Sequence, residues 1–208
     1  MPAAVIVGSG PGIGRSVARR FLEEGLDVGL ISRTGSGLGL DGVLTYRADC
    51  GDEGELRAAL DAATGALGTP DVVVYNAAII RPDSIGEADA RAQLDAWAVN
   101  VVGALVTASH VVPAMARRGS GTFIVTGGMP EPKPAYVSLS LGKAGVRTLV
   151  AMLDEEYGPS GVHAASVTVA GAVAPGTPFD PDAIAQHYWR LHTQPRDAWE
   201  REVLHTGA

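Results

Sequence analysis

Short apolar runs alternate with stretches of helical periodicity along nearly the whole chain. The runs at 3–7 (AAVIV), 27–32 (DVGLIS), 43–49 (VLTYRAD), 71–77 (DVVVYNA), 121–126 (GTFIVT) and 162–169 (VHAASVTV) have strand length and little polar alternation. Such runs suit strands buried on both faces. Between them the apolar spacing predicts helices over 12–25, 52–67, 88–118, 135–157 and 181–192, with a further strand at 200–205. Gly25 stands where the first helix should stop, in the left-handed position glycine tolerates. Strands separated by helices imply right-handed crossovers and a parallel sheet covered on both faces.

The glycines between the first strand and the first helix change the picture from architecture to chemistry. In VGSGPGIGR (7–15), Gly8, Gly12 and Gly14 frame the turn, with Ser9 and Ile13 beside them. A phosphate can approach a backbone only where side chains are absent, and the open N–H groups of a helix start then hold its charge. The strand before and the helix after make a dinucleotide site the expectation. An acidic residue about 20 positions on often holds the ribose hydroxyls of the adenosine half. Here the second strand ends in Ser32 and Arg33 instead, and Arg15 adds charge near the turn. A guanidinium pairs with a 2′-phosphate that a carboxylate would repel, so NADP(H) is favoured over NAD(H).

Composition narrows the classes. The 208 residues carry a net charge of −7, which argues against nonspecific binding to nucleic acid or an anionic membrane surface. The lone Cys50 excludes an internal disulfide and reads as a small buried hydrophobe, and five scattered histidines offer no metal-site spacing. No basic, apolar leader opens the chain, so a cytoplasmic location is expected. Ala96–Ala116 contains no charged residue and is about long enough to span a bilayer, yet Asn100, Thr107, Ser109, His110 and Pro113 interrupt it. A buried or subunit-facing helix is the better reading. No internal repeat or linker divides the chain, so residues 1–208 are expected to form one domain containing the site.

These motifs, in this order, resemble the short-chain dehydrogenase/reductase family along nearly the whole chain. Its Thr-Gly-x-x-x-Gly-x-Gly turn is similar to residues 7–14, with Val7 in place of Thr. The resemblance implies an α/β fold of Rossmann type, doubly wound, with a mainly parallel sheet of about seven strands and helices on both faces. It also implies that Asp49, with Cys50 next to it, lies by the adenine. Tyr75-Asn76-Ala77-Ala78 stands for the family's Asn-Asn-Ala-Gly, and Asn100 for the helix asparagine of a water-linked proton path. A core amide is an equal reading of Asn100. Lys143 stands for the lysine that holds the nicotinamide ribose. After the sixth strand Ala170-Gly171 replaces Pro-Gly, and Val173 would offer its backbone to the nicotinamide amide. Dimers or tetramers through the fourth and fifth helices are a further implication.

The departures bear on mechanism. The family's proton-donating tyrosine lies four residues before the lysine, and that position is Leu139, which has no proton to give. The family's serine falls at Gly127 or Gly128 when strands are matched, and at Thr126 by the usual spacing. Tyr136 lies seven residues before Lys143 and shares a helix face with it, about 10 Å away along the axis. It leads the candidates to replace the proton donor, while a pocket wall is the preferred reading of this residue. Ser140 is an intrinsically poor acid, and His187 and His192 read as surface or core histidines. The expected activity is reduction of a carbonyl, imine or activated alkene of a small molecule. A nucleotide-binding protein without turnover, or an isomerase or dehydratase using the same pocket, are the competing readings.

Overall fold

The computed structural model describes residues 1–207. Seven strands form one sheet: β1 (Ala3–Val7), β2 (Asp27–Ser32), β3 (Leu44–Arg47), β4 (Val72–Tyr75), β5 (Gly121–Gly128), β6 (Val162–Val169) and β7 (Glu202–His205). Their spatial order is β3-β2-β1-β4-β5-β6-β7, and every neighbouring pair is parallel. The central strands are buried along their length, which explains why they read as continuous apolar runs rather than alternating ones.

Six helices cover the sheet: α1 (Ile13–Glu23), α2 (Glu53–Leu67), α3 (Ala90–Trp97), α4 (Gly103–Arg118), α5 (Val137–Tyr157) and α6 (Pro181–Thr193). One core, with Phe21, Leu30, Ile124 and Tyr188, lies under α1 and α6. The other, with Val73, Phe123, Met115 and Leu149, lies under α2, α4 and α5. This is the doubly wound Rossmann-type arrangement. Strand order reverses between β1 and β4, and in such sheets ligands bind in the crevice beyond the strand ends at that point.

Most boundaries shift by a residue or two from the sequence expectation, and three of the differences bear on the cavity. β5 continues through Gly127 and Gly128, which pair with Thr168 and Val169. A Cβ on Gly127 would lie 2.3 Å from Thr168 Oγ1, so this glycine permits strand packing rather than ending the strand. The expected single helix over 88–118 is interrupted by a π-helical turn at Ala98–Val102, which carries Asn100. Residues 90–118 are long and apolar enough to cross a membrane, but half of their most apolar window is buried in the fold. The helix expected from 135 begins at Val137, which makes Tyr136 its N-cap.

Candidate active site

The turn after β1 packs its glycines in two ways. Gly8 has φ +82°, and a Cβ there would lie 2.3 Å from Ala77 N, so this position serves the close approach of the β1 and β4 ends. Gly10 and Gly12 face open space, with nothing within 4 Å of a Cβ. Gly12 is the N-cap of α1 and no side chain caps that helix. Arg15 N and Ser16 N bond back to Gly10 O and Gly12 O. Ile13 and Gly14, the first two residues of α1, line the opening, and the N–H groups at a helix start have no carbonyl a turn back within the helix. Open amides beside a cradle without side chains fit a pyrophosphate.

From this turn one cavity of about 980 Å³ runs along the carboxyl ends of the strands. Ser9, Ser32, Arg33, Asp49 and Cys50 line one end, Asn76–Ala78 the middle, and Tyr136, Leu139, Lys143, Gly171 and Val173 the other. Arg33 is exposed at the rim. Arg15 does not line the cavity; its Nε donates to Leu38 O at 3.0 Å. Asp49 Oδ1 accepts from Gly51 N at 2.8 Å, fixing the turn after β3. Burial pushes the Cys50 thiol up to about 11, so it is a neutral wall rather than a nucleophile.

Lys143 is buried on α5, and its Nζ donates to Thr126 O at 2.6 Å. Burial, and then the neighbouring Arg147, lowers its ammonium to about 8. Arg147, one helical turn further on, donates from Nη1 to Gly128 O at 2.9 Å and Met129 O at 3.3 Å. It thereby holds the turn in which Met129 has φ +46°, an uncommon conformation for a side chain of that size. Gly142 lets α5 meet the π turn, since a Cβ there would lie 2.7 Å from Asn100 Cβ. Asn100 Oδ1 accepts from Ile79 N at 2.7 Å, and its Nδ2 donates to Ile79 O at 3.4 Å. Both ends of this amide are thus engaged with the backbone after β4.

Thr126 does not present its hydroxyl to Lys143. Oγ1 donates to Asn76 Oδ1 at 2.8 Å and lies 2.7 Å from Tyr188 Oη, so the tyrosine donates to the threonine. Asn76 Nδ2 then donates to Gly8 O at 2.9 Å, closing a chain from α6 to the glycine turn. The expected substitute hydroxyl is therefore spent on the α6 side of the sheet. The position facing Lys143 is Gly128, where a Cβ would lie 3.7 Å from Lys143 Cε. Ser140 is likewise committed: its Oγ accepts from Lys133 N at 3.0 Å.

The sequence profile of the short chain dehydrogenase family matches residues 2–180. The chain belongs to that family. It is 32% identical over 188 residues to a Streptomyces violaceoruber protein assigned to the granaticin polyketide synthase as ketoacyl reductase 2, covering 84% of this chain and 72% of the relative. It is 29% identical over 183 residues to 2-(S)-hydroxypropyl-CoM dehydrogenase 3 of Xanthobacter autotrophicus, covering 83% and 69%. A solved short-chain dehydrogenase from Rhodopseudomonas palustris superposes with a TM-score of 0.87 at 24% identity, covering 98% of this chain and 97% of that one. A metagenomic short-chain oxidoreductase solved in complex with NADP gives 0.87 at 23%, covering 98% and 96%.

The short-chain dehydrogenase differs from the sequence expectation of a hydroxyl near Lys143. Leu139 is buried against the cavity and Gly128 is bare, so neither position offers a hydroxyl beside Lys143. Tyr136 is half-buried on the cavity wall. His187 and His192 stand outside the cavity: His187 Nε2 is 3.0 Å from His205 Nδ1, and His192 Nδ1 is 3.0 Å from Thr122 Oγ1. Sequence reasoning missed Tyr188 and Arg147, whose hydrogen bonds reach the cavity-lining residues Thr126, Gly128 and Met129. Only Arg147 left a sequence signal, its place four residues after Lys143 on the same helix face.

Proposed function

We propose that this short-chain dehydrogenase is an NADP(H)-dependent oxidoreductase that reduces a carbonyl, imine or activated alkene of a small molecule, with Tyr136 as proton donor. The observation that carries this reading is the single cavity joining the open glycine turn to Lys143 and Tyr136. The N–H groups of Ile13 and Gly14 receive the pyrophosphate, and Arg33 pairs with a 2′-phosphate. Asp49 and Cys50 border the adenine, Asn76–Ala78 line the middle of the dinucleotide, and Gly171 and Val173 offer backbone to the nicotinamide amide. Lys143 holds the adjoining ribose. When bound, the reduced nicotinamide supplies a hydride to the substrate carbon.

The chain must then supply the proton. Leu139 excludes water from the reacting end, and Tyr136 transfers its phenolic proton to the substrate oxygen or nitrogen, or to the α-carbon of an alkene. An iminium or conjugated acceptor suits this site because it demands less of a proton donor. Asn100 holds the backbone at Ile79, where that backbone lines the cavity. The reaction sits within the one domain formed by residues 1–208. Exposed Leu94, Trp97, Leu105 and Leu141 on α3, α4 and α5 support a homodimer or homotetramer. A lone cysteine fits a cytoplasmic location.

Fluorescence titration with NADPH and NADH tests the first step. NADPH should bind more tightly, and Arg33→Ala should erase roughly 10–100-fold of that preference, the value of a charged hydrogen bond. Tighter NADH binding by the wild type would remove the role given to Arg33. On a panel of carbonyls, imines and enones, Tyr136→Phe should slow turnover by about 10²–10⁴-fold, the usual contribution of a positioned acid. The absence of hydroxyls at residues 139 and 128 favours one second reading, a nucleotide-binding protein without turnover. Tight NADPH binding with no reduction anywhere on the panel would support it.

A further inference from the structure

Helix α5 starts without a cap of its own. Its N-cap is Tyr136, with φ −145° and ψ 59°, and the tyrosine makes no side-chain capping bond. The first N–H groups of a helix need partners from somewhere. Asp83 supplies one from the segment between β4 and α3. Ser138 N donates to both of its carboxylate oxygens, at 3.2 and 3.1 Å. Asp83 N donates to Ala135 O at 3.1 Å, and residues 83 and 136 form an isolated parallel bridge. Gln93 Nε2 on α3 donates to Asp83 Oδ2 at 3.0 Å and steadies the carboxylate.

Asp83 therefore grips the chain one residue before Tyr136 and two residues after it. With the backbone pinned on both sides, the Tyr136 ring keeps only its side-chain torsions. The carboxylate also lies at the positive end of α5. Hydrogen bonding from Ser138 holds the Asp83 carboxyl below its ordinary range, so the grip is ionised at neutral pH.

We infer that Asp83 is a positioning residue, which fixes Tyr136 at the cavity wall by capping α5 from outside the helix. This rests on the reading of Tyr136 as the proton donor. A donor that drifts by about 1 Å can cost on the order of 100-fold in rate, so a clamp of this kind has a kinetic signature.

A double-mutant cycle tests it, with NADPH affinity measured alongside. Asp83→Ala should lower kcat on the order of 10–100-fold, with NADPH affinity and KM little changed. Asp83→Asn keeps an acceptor for Ser138 N and should restore most of the rate. In the Tyr136→Phe background Asp83→Ala should cost almost nothing more, because the group it positions is gone. An equal loss in both backgrounds would overturn the role of Asp83 and leave Tyr136 as the donor. Full activity in Tyr136→Phe alone would overturn both. If the wild type turns over no panel compound, NMR of isotope-labelled tyrosine decides. The Tyr136 ring signal should shift and broaden in Asp83→Ala and recover in Asp83→Asn, and an unchanged signal overturns the inference.

Discussion

At the scale of single residues, Lys143 carries the sharpest physical consequence. Its ammonium is buried and donates to the Thr126 carbonyl, and burial, then Arg147, lowers it from 10.5 to about 8. The folded state thus disfavours the charged form. Between about pH 8 and 10.5 the unfolded chain binds more protons than the folded one, so stability from this group rises with pH across that window. Below it the penalty is full, roughly 3 kcal/mol. Lys143→Met should therefore unfold at higher denaturant concentration than wild type near pH 7, and the gap should narrow steadily toward about pH 10. A gap independent of pH would show that the burial cost is not electrostatic. The same titration predicts weaker NADPH binding above about pH 8, where the lysine stops being a charged donor.

At the scale of elements, the meeting of α5 with the π turn sets the middle of the site. Single π turns inside helices are frequent at functional positions, and this one points Asn100 at Ile79. Gly142 makes the contact possible. Gly142→Ala would gain about 1 kcal/mol of helix propensity in isolation. In the fold its Cβ would stand 2.7 Å from Asn100 Cβ and 3.0 Å from Nδ2, on a side chain already tied at both ends. The steric term should win, with a net loss of about 1–3 kcal/mol by urea denaturation. A stabilised Gly142→Ala would mean that the asparagine is free to yield. The sequence could not disclose this contact. Periodicity reports which side of a helix is apolar, and it carries no sign of a π turn or of an asparagine committed to a distant backbone. The same limit explains β5: Gly127 and Gly128 read as a strand end, whereas the crowding by Thr168 that requires a glycine is a contact of high sequence separation.

At the scale of the whole molecule, the parallel sheet and its two-sided covering were legible because buried parallel strands leave uninterrupted apolar runs, and the glycine turn because it stands between a strand run and a helical pattern. Asp83 and Tyr188 were not, since a cap supplied from another segment and a buried hydroxyl chain have no local pattern. One further property was legible only in outline, the uncharged stretch around α4. Leu105 on α4 (51% exposed) is joined by Leu94 (65%) and Trp97 (43%) on α3 and by Leu141 (55%) on α5. Leu94, Trp97 and Leu141, with Ile85 and Val137, line an apolar groove of about 510 Å³. Leu141 lies on α5 between Leu139 and Lys143, so a subunit seated there would brace the helix that carries the reacting end. A two-fold contact doubles each buried side chain, and a leucine is worth about 1.5–3 kcal/mol when fully buried. Sedimentation at micromolar concentration should show a dimer or tetramer. Leu94→Glu with Leu141→Glu should release a folded monomer, because the pair would set carboxylates inside an apolar contact. A monomeric wild type would refute the assembly, and a wild-type oligomer that survives the double substitution would place the interface on another face.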